Sequence, residues 1–563
     1  MSSINRPAAG CPARGSRASA PSSSRARRGR WPAPLTRANP RPRAPCADPG
    51  PSGGGGAGSQ SAAAATVRRE EETGRPREHA GAMRMSRWLV AAMVPVLLAS
   101  TASAVRGDER LRWRACEGQG VPAGMECAAV EVPVDWAEPD GRKISLELAR
   151  LPATEPARRI GSVLGVPGGP GRKGIEDLKH AAGDLTELRG RFDLVAYNPR
   201  NTVWQDRLPP SCLRPGTSLD EPRSRRQYEV LAAKMTRAFE ACRAEDGTGL
   251  FAHLDSLSVA RDMDAVRRAL GEERLSFMAN SYGGVPAAAY ARLFPHRIRA
   301  LYVDGVVNQT VGWPRQRLLA LSRAEQVFGR FTAWCSATPA CALHGEDAGA
   351  VWRELTREAD RRPIPVTSPE FGKGELTGSR LKTFGSAGFL GDPGPGNTRW
   401  LAFADAVDRA RQGDGSGFAD VVLSNVRVWA MPGALAMTCA DERGYTGYAQ
   451  LTQGRREAGK ISANLASVSF DALGCAGWPL KVANPSRPLP VRGLPPVLGV
   501  GSTWGDHALT ESFTRMIPGS VTVGYDGPGH VMYLSGKQCP IRHATRYLIE
   551  LKLPEPGTVC PAE

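Results

Sequence analysis

The 563 residues contain no C-x-x-C pair and no H-E-x-x-H run, so neither a zinc finger nor a zinc-peptidase centre is expected, and no metal or cofactor is called for. Nor is there a bilayer-spanning segment: the apolar run from Trp88 to Ala99 is far short of the about 20 residues that spanning requires. Histidine is scarce, with eight in the whole chain, so few side chains are available as a general base near neutral pH. Acidic residues are sparse where the basic ones are densest. Residues 1–82 hold 14 arginines against five acids, and beyond residue 104 only +6 of the formal +17 is left. With the excess gathered in one terminal segment, nucleic acid is excluded as the expected partner.

That segment, with "RGSRASAPSSSRARRGRWPAP" and "GPSGGGGAGSQSAAAA", has no helical or strand period and cannot build a core. It is read as a disordered basic extension over 1–82, with Met83 or Met85 as the expected true start. Residues 83–104 then have the layout of a secretory signal peptide: Arg84 and Arg87, a short apolar middle, and Ala102-Ser103-Ala104 as the cleavage site. No cysteine directly follows, so neither a lipid anchor nor a stable membrane anchor is expected, and the product is read as secreted and extracellular. Ten of the 12 cysteines follow the leader. An even number in an exported chain reads as disulfides, and because they fall in close successive couples, neighbour pairing is expected.

Eight runs rich in β-branched and apolar residues follow, at 128–134, 144–151, 161–166, 192–197, 275–279, 299–305, 495–501 and 520–525. Helical patterns lie between several of them. In "SVARDMDAVRRALG", Val259, Met263, Val266 and Leu270 share a face, with Ser258 as the expected cap and Gly271 as the stop. Such alternation predicts an α/β fold with an eight-stranded, mostly parallel sheet covered on both sides. Residues 105–305 and 491–563 are its two parts. Residues 306–490 read as a mainly helical lid inserted between strands six and seven, over the carboxyl edge where ligands of open α/β sheets bind.

Against this frame "ANSYGGVPAAAYARLFP" (279–295) sets Ser281 between a strand and a helix, the setting of a nucleophile elbow. The turn demands small neighbours; Gly283 is one, and Ala279 stands where glycine is usual. A serine hydroxyl needs a base and an orienting acid. "DGPGHVMYL" after the last strand offers His530, and "GSTWGDHALT" after the preceding one offers Asp506, with Asp526 as the alternative acid. "GVPGGPGRKG" (165–174) follows the third strand, where the second oxyanion donor belongs; Pro170 has no N–H, so Gly169 is expected to act with the N–H of Tyr282.

The stretches "ECAAVEVPVDWAEPDG", "GSVLGVPGGPG", "FDLVAYNPR", "ARDMDAVRRALGEERLSF", "YARLFPHRIRALYVDGVV", "TCAD" and "YDGPGHVMYLSGKQC" resemble the secreted α/β-hydrolase aminopeptidases related to prolyl aminopeptidase, especially tripeptidyl aminopeptidases of the actinobacterial type. The resemblance runs from about Trp113 to Cys560. It implies an α/β-hydrolase fold and a serine peptidase removing short peptides from free N-termini, with Ser281, Asp506 and His530 as triad and peptides as substrates. An exopeptidase must hold the substrate's ammonium, for which Asp441 and Glu442 in "TCADERG" are candidates; the other reading is a solvated charged turn. The chain departs from the family in "NPRNTVWQ", with Asn198 for aspartate and Asn201 for glycine, and in "GDHALT", where Gly505 occupies the aspartate position. Gly165 and Gly499 replace larger strand residues. A secreted esterase on the same triad and a catalytically weak relative are the alternatives.

Overall fold

The computed structural model describes residues 111–563 apart from 203, 216–219 and 491; the expected extension and leader lie outside the described residues. Each of the eight apolar runs forms a strand within a residue or a few of its expected ends. In chain order the strands are β1 (Arg114–Ala115), β2 (Glu126–Pro133), β3 (Lys143–Leu151), β4 (Gly161–Val166), β5 (Phe192–Tyr197), β6 (Leu275–Asn280), β7 (Ile298–Asp304), β8 (Ile364–Ser368), β9 (Gly372–Leu376), β10 (Leu498–Ser502), β11 (Val521–Asp526) and β12 (Val559–Pro561). One sheet takes ten of them, in the order β1-β2-β3-β5-β4-β6-β7-β10-β11-β12, while β8 and β9 pair alone. The sheet is therefore two strands wider than the eight expected, by the short edge strands β1 and β12.

From β5 to β12 all neighbours are parallel, and β1, β2 and β3 add on antiparallel. Side chains of a strand alternate between faces, and here both faces are apolar and covered. Leu194, Ala196 and Met278 pack on one side with Leu178, Ile541 and Leu548. Val195, Tyr197, Phe277 and Ala279 pack on the other with Met263, Val266 and Ala288. The helix Ser256–Ala269 of this second layer begins differently from the sequence expectation. Asp255, not Ser258, is its cap, accepting the Ser258 N–H at 2.9 Å, while Gly271 closes the helix at φ +73°. An aspartate one residue before the turn is a cap as good as serine.

Between β7 and β10 the chain makes an insertion that is helical except for the β8–β9 hairpin. It owns a core of Phe328, Phe331, Trp352, Trp400, Phe403 and Phe418, enough apolar area to hold it together as a unit. A further cluster ties it to the sheet's helices. The helix Arg225–Glu245 and the helix Pro432–Asp441 meet there, each stapled by a disulfide, Cys212–Cys242 and Cys439–Cys475. The remaining bridges are Cys116–Cys127, Cys335–Cys341 and Cys539–Cys560, so all ten cysteines pair with their chain neighbours, as expected. No helix among the described residues is long and apolar enough to cross a membrane.

Candidate active site

Because β4 to β7, β10 and β11 run parallel, their carboxyl ends open on one edge. Every residue singled out for chemistry in the core lies in a loop there. Ser281 directly follows β6 and has φ +50°, a strained value for a residue with a Cβ. What lets the chain turn so sharply is the absence of side chains beside it. A Cβ on Gly283 would stand 2.2 Å from the Val166 carbonyl oxygen, and one on Gly284 would stand 2.6 Å from Val306. Ala279 is fully buried between Val166 and Val303 on the flanking strands.

The loop after β4 comes against the same serine, and a Cβ on Gly168 would lie 2.6 Å from that of Ser281. Gly169 has φ +109°. The loop after β5 props this turn. The carboxamide of Asn198 donates to Glu147 Oε2 at 2.7 Å and accepts the Ile175 N–H at 3.3 Å, while Thr202 Oγ donates to the Arg172 carbonyl at 2.9 Å. Asn201 is buried in the same loop. Arg200 is wholly buried and bidentate on Asp262 through Nε and Nη2, both bonds at 2.7 Å; Nη2 also donates to the Pro133 carbonyl and Nη1 to that of Val134. Burial raises the Asp262 pKa, and the Arg200 charge works against that.

His530 and Asp506 are brought together. His530 Nδ1 lies 2.5 Å from Asp506 Oδ2, and Asp506 Oδ1 accepts the Ser502 N–H at 2.8 Å. The acid is sheltered, with 12% of its side chain exposed, whereas the imidazole is 56% exposed. Partial desolvation pulls the imidazole pKa down, but the hydrogen bond and charge of Asp506 outweigh it, with Asp304 adding, and the net shift is upward. Asp526, the alternative acid, instead accepts the Thr503 hydroxyl at 3.1 Å and is exposed. Gly505 lies in the turn from Ser502 to Asp506, where its N–H bonds the Ser502 carbonyl.

Two residues that sequence reasoning passed over hold these loops in place. Gly305 ends β7 at φ +59°, and a Cβ there would fall 2.5 Å from Asp506 Oδ2 and 3.0 Å from His530 Nδ1. Two residues on, the Val307 N–H donates to the Ser281 carbonyl at 2.8 Å, so one short loop touches all three loops of interest. Asp304, fully buried, accepts the N–H groups of Met532 and Tyr533 at 3.0 Å each and the Tyr302 hydroxyl at 2.7 Å. Burial pushes its pKa up to about 6 against those bonds. It thereby fixes the loop that carries His530. Tyr533 in turn accepts the amide of Asn280, the neighbour of Ser281, at 2.7 Å. A carboxylate at the carboxyl end of a parallel strand was the signal in the sequence.

Asp441 is a correction. Expected to offer a carboxylate to the substrate amine, it is fully buried at the end of the helix Pro432–Asp441, with both oxygens occupied. Oδ1 accepts the Ser256 N–H at 2.8 Å; Oδ2 accepts the hydroxyls of Ser256 at 2.6 Å and Tyr282 at 2.7 Å. Burial and the nearby charge of Asp255 push its pKa up to about 7. Glu442 is half-buried and accepts the Ser486 N–H at 3.0 Å. Of the tryptophans, Trp478 stacks edge-on with Phe239 in the core, and Trp429 packs against both helical clusters. Trp504, in the turn before Asp506, stacks on Trp400 of the insertion with the Arg330 guanidinium 4.3 Å over its ring. Gly499 is required, since a Cβ would meet Thr514 at 2.7 Å, whereas beside Gly165 there is room, next to a cavity of about 40 Å3.

Residues 162–373 match the family described as alpha/beta hydrolase fold, and residues 463–560 match the one described as TAP-like protein. The serine protease Hip1 of Mycobacterium tuberculosis is 27% identical over an alignment covering 84% of this chain and 97% of that protein. The tripeptidyl aminopeptidase of Streptomyces lividans is 26% identical, over 72% of this chain and 77% of its own. Carboxylesterase B of Mycobacterium tuberculosis is 27% identical, over 77% and 86%.

Proposed function

Since the chain belongs to the α/β hydrolases, as an enzyme of their serine-peptidase kind with a TAP-like carboxyl-terminal part, we propose that it is a secreted exopeptidase that cleaves short peptides from free N-termini through Ser281, His530 and Asp506. The observation that carries this reading is the Asp506–His530 pair at 2.5 Å on the same sheet edge as the strained Ser281.

In this reading His530 Nε2 takes the proton of Ser281 Oγ as the oxygen attacks the scissile carbonyl. Asp506 holds the Nδ1–H and stabilises the imidazolium. The N–H groups of Gly169 and Tyr282 receive the oxyanion, each worth about 3 kcal/mol or more in a water-poor site. His530 then returns the proton to the leaving amine, and water, deprotonated by the same imidazole, releases the acyl group from Ser281. Within the insertion, read as a lid, Glu442 is the candidate for the substrate's ammonium, since it is the carboxylate of its pair that is not fully buried. Five disulfides suit an oxidising compartment. N-terminal sequencing of the native protein should then begin at Val105.

The test compares the chain from Val105 with its Ser281→Ala variant on a tripeptide anilide, with the amine free and acetylated. Cleavage of the free form alone, lost in the variant, supports the exopeptidase. Equal cleavage of both forms would overturn the exopeptidase reading, and turnover of simple esters with neither anilide cut favours an esterase, a reading that the carboxylesterase B similarity keeps specific.

A further inference from the structure

We propose that Asp441 is a positioning residue for catalysis: from the insertion it grips the Tyr282 side chain and so sets the backbone N–H that follows Ser281. The proposal rests on the reading of that N–H as an oxyanion donor. The carboxylate is an acceptor-only group, and it is met by donors alone, the Ser256 N–H, the Ser256 hydroxyl and the Tyr282 hydroxyl, at 2.6 to 2.8 Å. These donors come from two different places in the core, the start of the helix Ser256–Ala269 and the elbow itself. The acceptor comes from a third, the insertion.

A fully buried carboxylate whose oxygens are bonded, among the described residues, by no cation is an expensive way to gain stability, because desolvation outweighs what an apolar residue of that size would cost. Its use is geometric. Tyr282 is the residue next to Ser281, and its ring is confined on other sides as well, with Trp313 stacked parallel at 6.5 Å between centroids. Asp441 itself is immobilised. Cys439, two residues earlier, is bridged to Cys475, and the Asp441 carbonyl accepts Gln309 Nε2 at 3.1 Å. Gln309 belongs to the loop that leaves β7, four residues beyond Gly305. The insertion is thus not only a cover over the sheet edge. One of its helices ends inside the catalytic framework and completes it.

The test is a double-mutant cycle of Asp441→Asn and Tyr282→Phe on a free-amine tripeptide anilide, with thermal unfolding followed alongside. Tyr282→Phe keeps the ring and the backbone and removes the hydroxyl, with its 2.7 Å bond to Asp441 and its longer contacts to the Met437 carbonyl at 3.3 Å and the Ser256 hydroxyl at 3.5 Å, so it decides the matter if the Asn variant folds poorly. Each single change should lower kcat by about tenfold or more with KM altered less than about threefold, since an oxyanion donor acts on the transition state. Because both remove the same contact, the double variant should be no worse than the poorer single. Wild-type kcat in Tyr282→Phe, a loss confined to KM, or losses that multiply would overturn the proposal. Turnover surviving in Ser281→Ala would instead remove the reading beneath it, which keeps the two failures apart.

Discussion

His530 sets Nδ1 on Asp506 Oδ2 at 2.5 Å, while the other Asp506 oxygen is held by the Ser502 N–H at 2.8 Å. A carboxylate gripped at one oxygen and bonded through the other orients an imidazole far better than a mobile one. Asp506→Asn should therefore lower kcat by about 1,000-fold or more, in line with loss of the orienting acid in a serine triad. Asp526→Asn, whose residue is exposed and accepts the Thr503 hydroxyl, should stay within about threefold. Steady-state kinetics on one substrate separates the two; the reverse ranking would make Asp526 the acid.

The pH profile follows from the same pair. The fold raises the His530 pKa from its ordinary 6.5, and in the proposed mechanism the base works only when neutral. kcat/KM should rise with pH through an ionisation above that value, and in Asp506→Asn the residual activity should rise through a lower one. For stability the sign is opposite. His530 contributes in full below the unfolded value near 6.5, and the contribution is lost as pH climbs through the raised folded value. Urea midpoints of the native chain and of His530→Gln, read on either side of this window, should converge as pH rises.

Gly305→Ala should cost activity far more than stability. Its φ of +59° disfavours any side chain, which costs about 1 kcal/mol, but the added methyl also falls on Asp506 Oδ2 and His530 Nδ1. A drop in kcat of about 100-fold is expected, because displacing a catalytic pair by an ångström has that order of effect. Kinetics and thermal unfolding of the same sample check it.

Gly165→Ala and Gly499→Ala should move stability in opposite directions. Nothing nearer than 3.7 Å meets a Cβ at Gly165, so alanine should add about 0.5–1 kcal/mol by restricting the unfolded chain. At Gly499 the β-branched Thr514 and Thr510 lie within 3.0 Å of the new atom, and overpacking should cost about 1–3 kcal/mol. Chemical denaturation of the two variants gives the sign directly.

Much of this was legible before the structure. β5 and β6 read clearly because parallel strands covered on both sides are mainly apolar runs, each interrupted by one polar residue near its start, Asp193 and Ser276, and the elbow read because Ser281 sits where such a run meets a helical pattern. The edge strands β1 and β12, of two and three residues, have too few side chains to show a period. The β8–β9 hairpin is polar on one arm, "GKGEL", and resembles a loop. Asp441 misled for a different reason: "TCADERG" looks like a charged turn, and only the burial of the whole Pro432–Asp441 helix puts its last residue inside. Asn198 in place of aspartate became intelligible through Glu147, a partner 51 positions away that an aspartate would repel.

In the proposed mechanism Ser281 is the nucleophile and His530 its base. Intact-mass and peptide mapping after treatment with a fluorophosphonate tests it most directly. One adduct is expected, on the peptide holding Ser281, formed at least about 100-fold more slowly in His530→Ala. A folded protein that takes no label, or takes it on another residue, would contradict it.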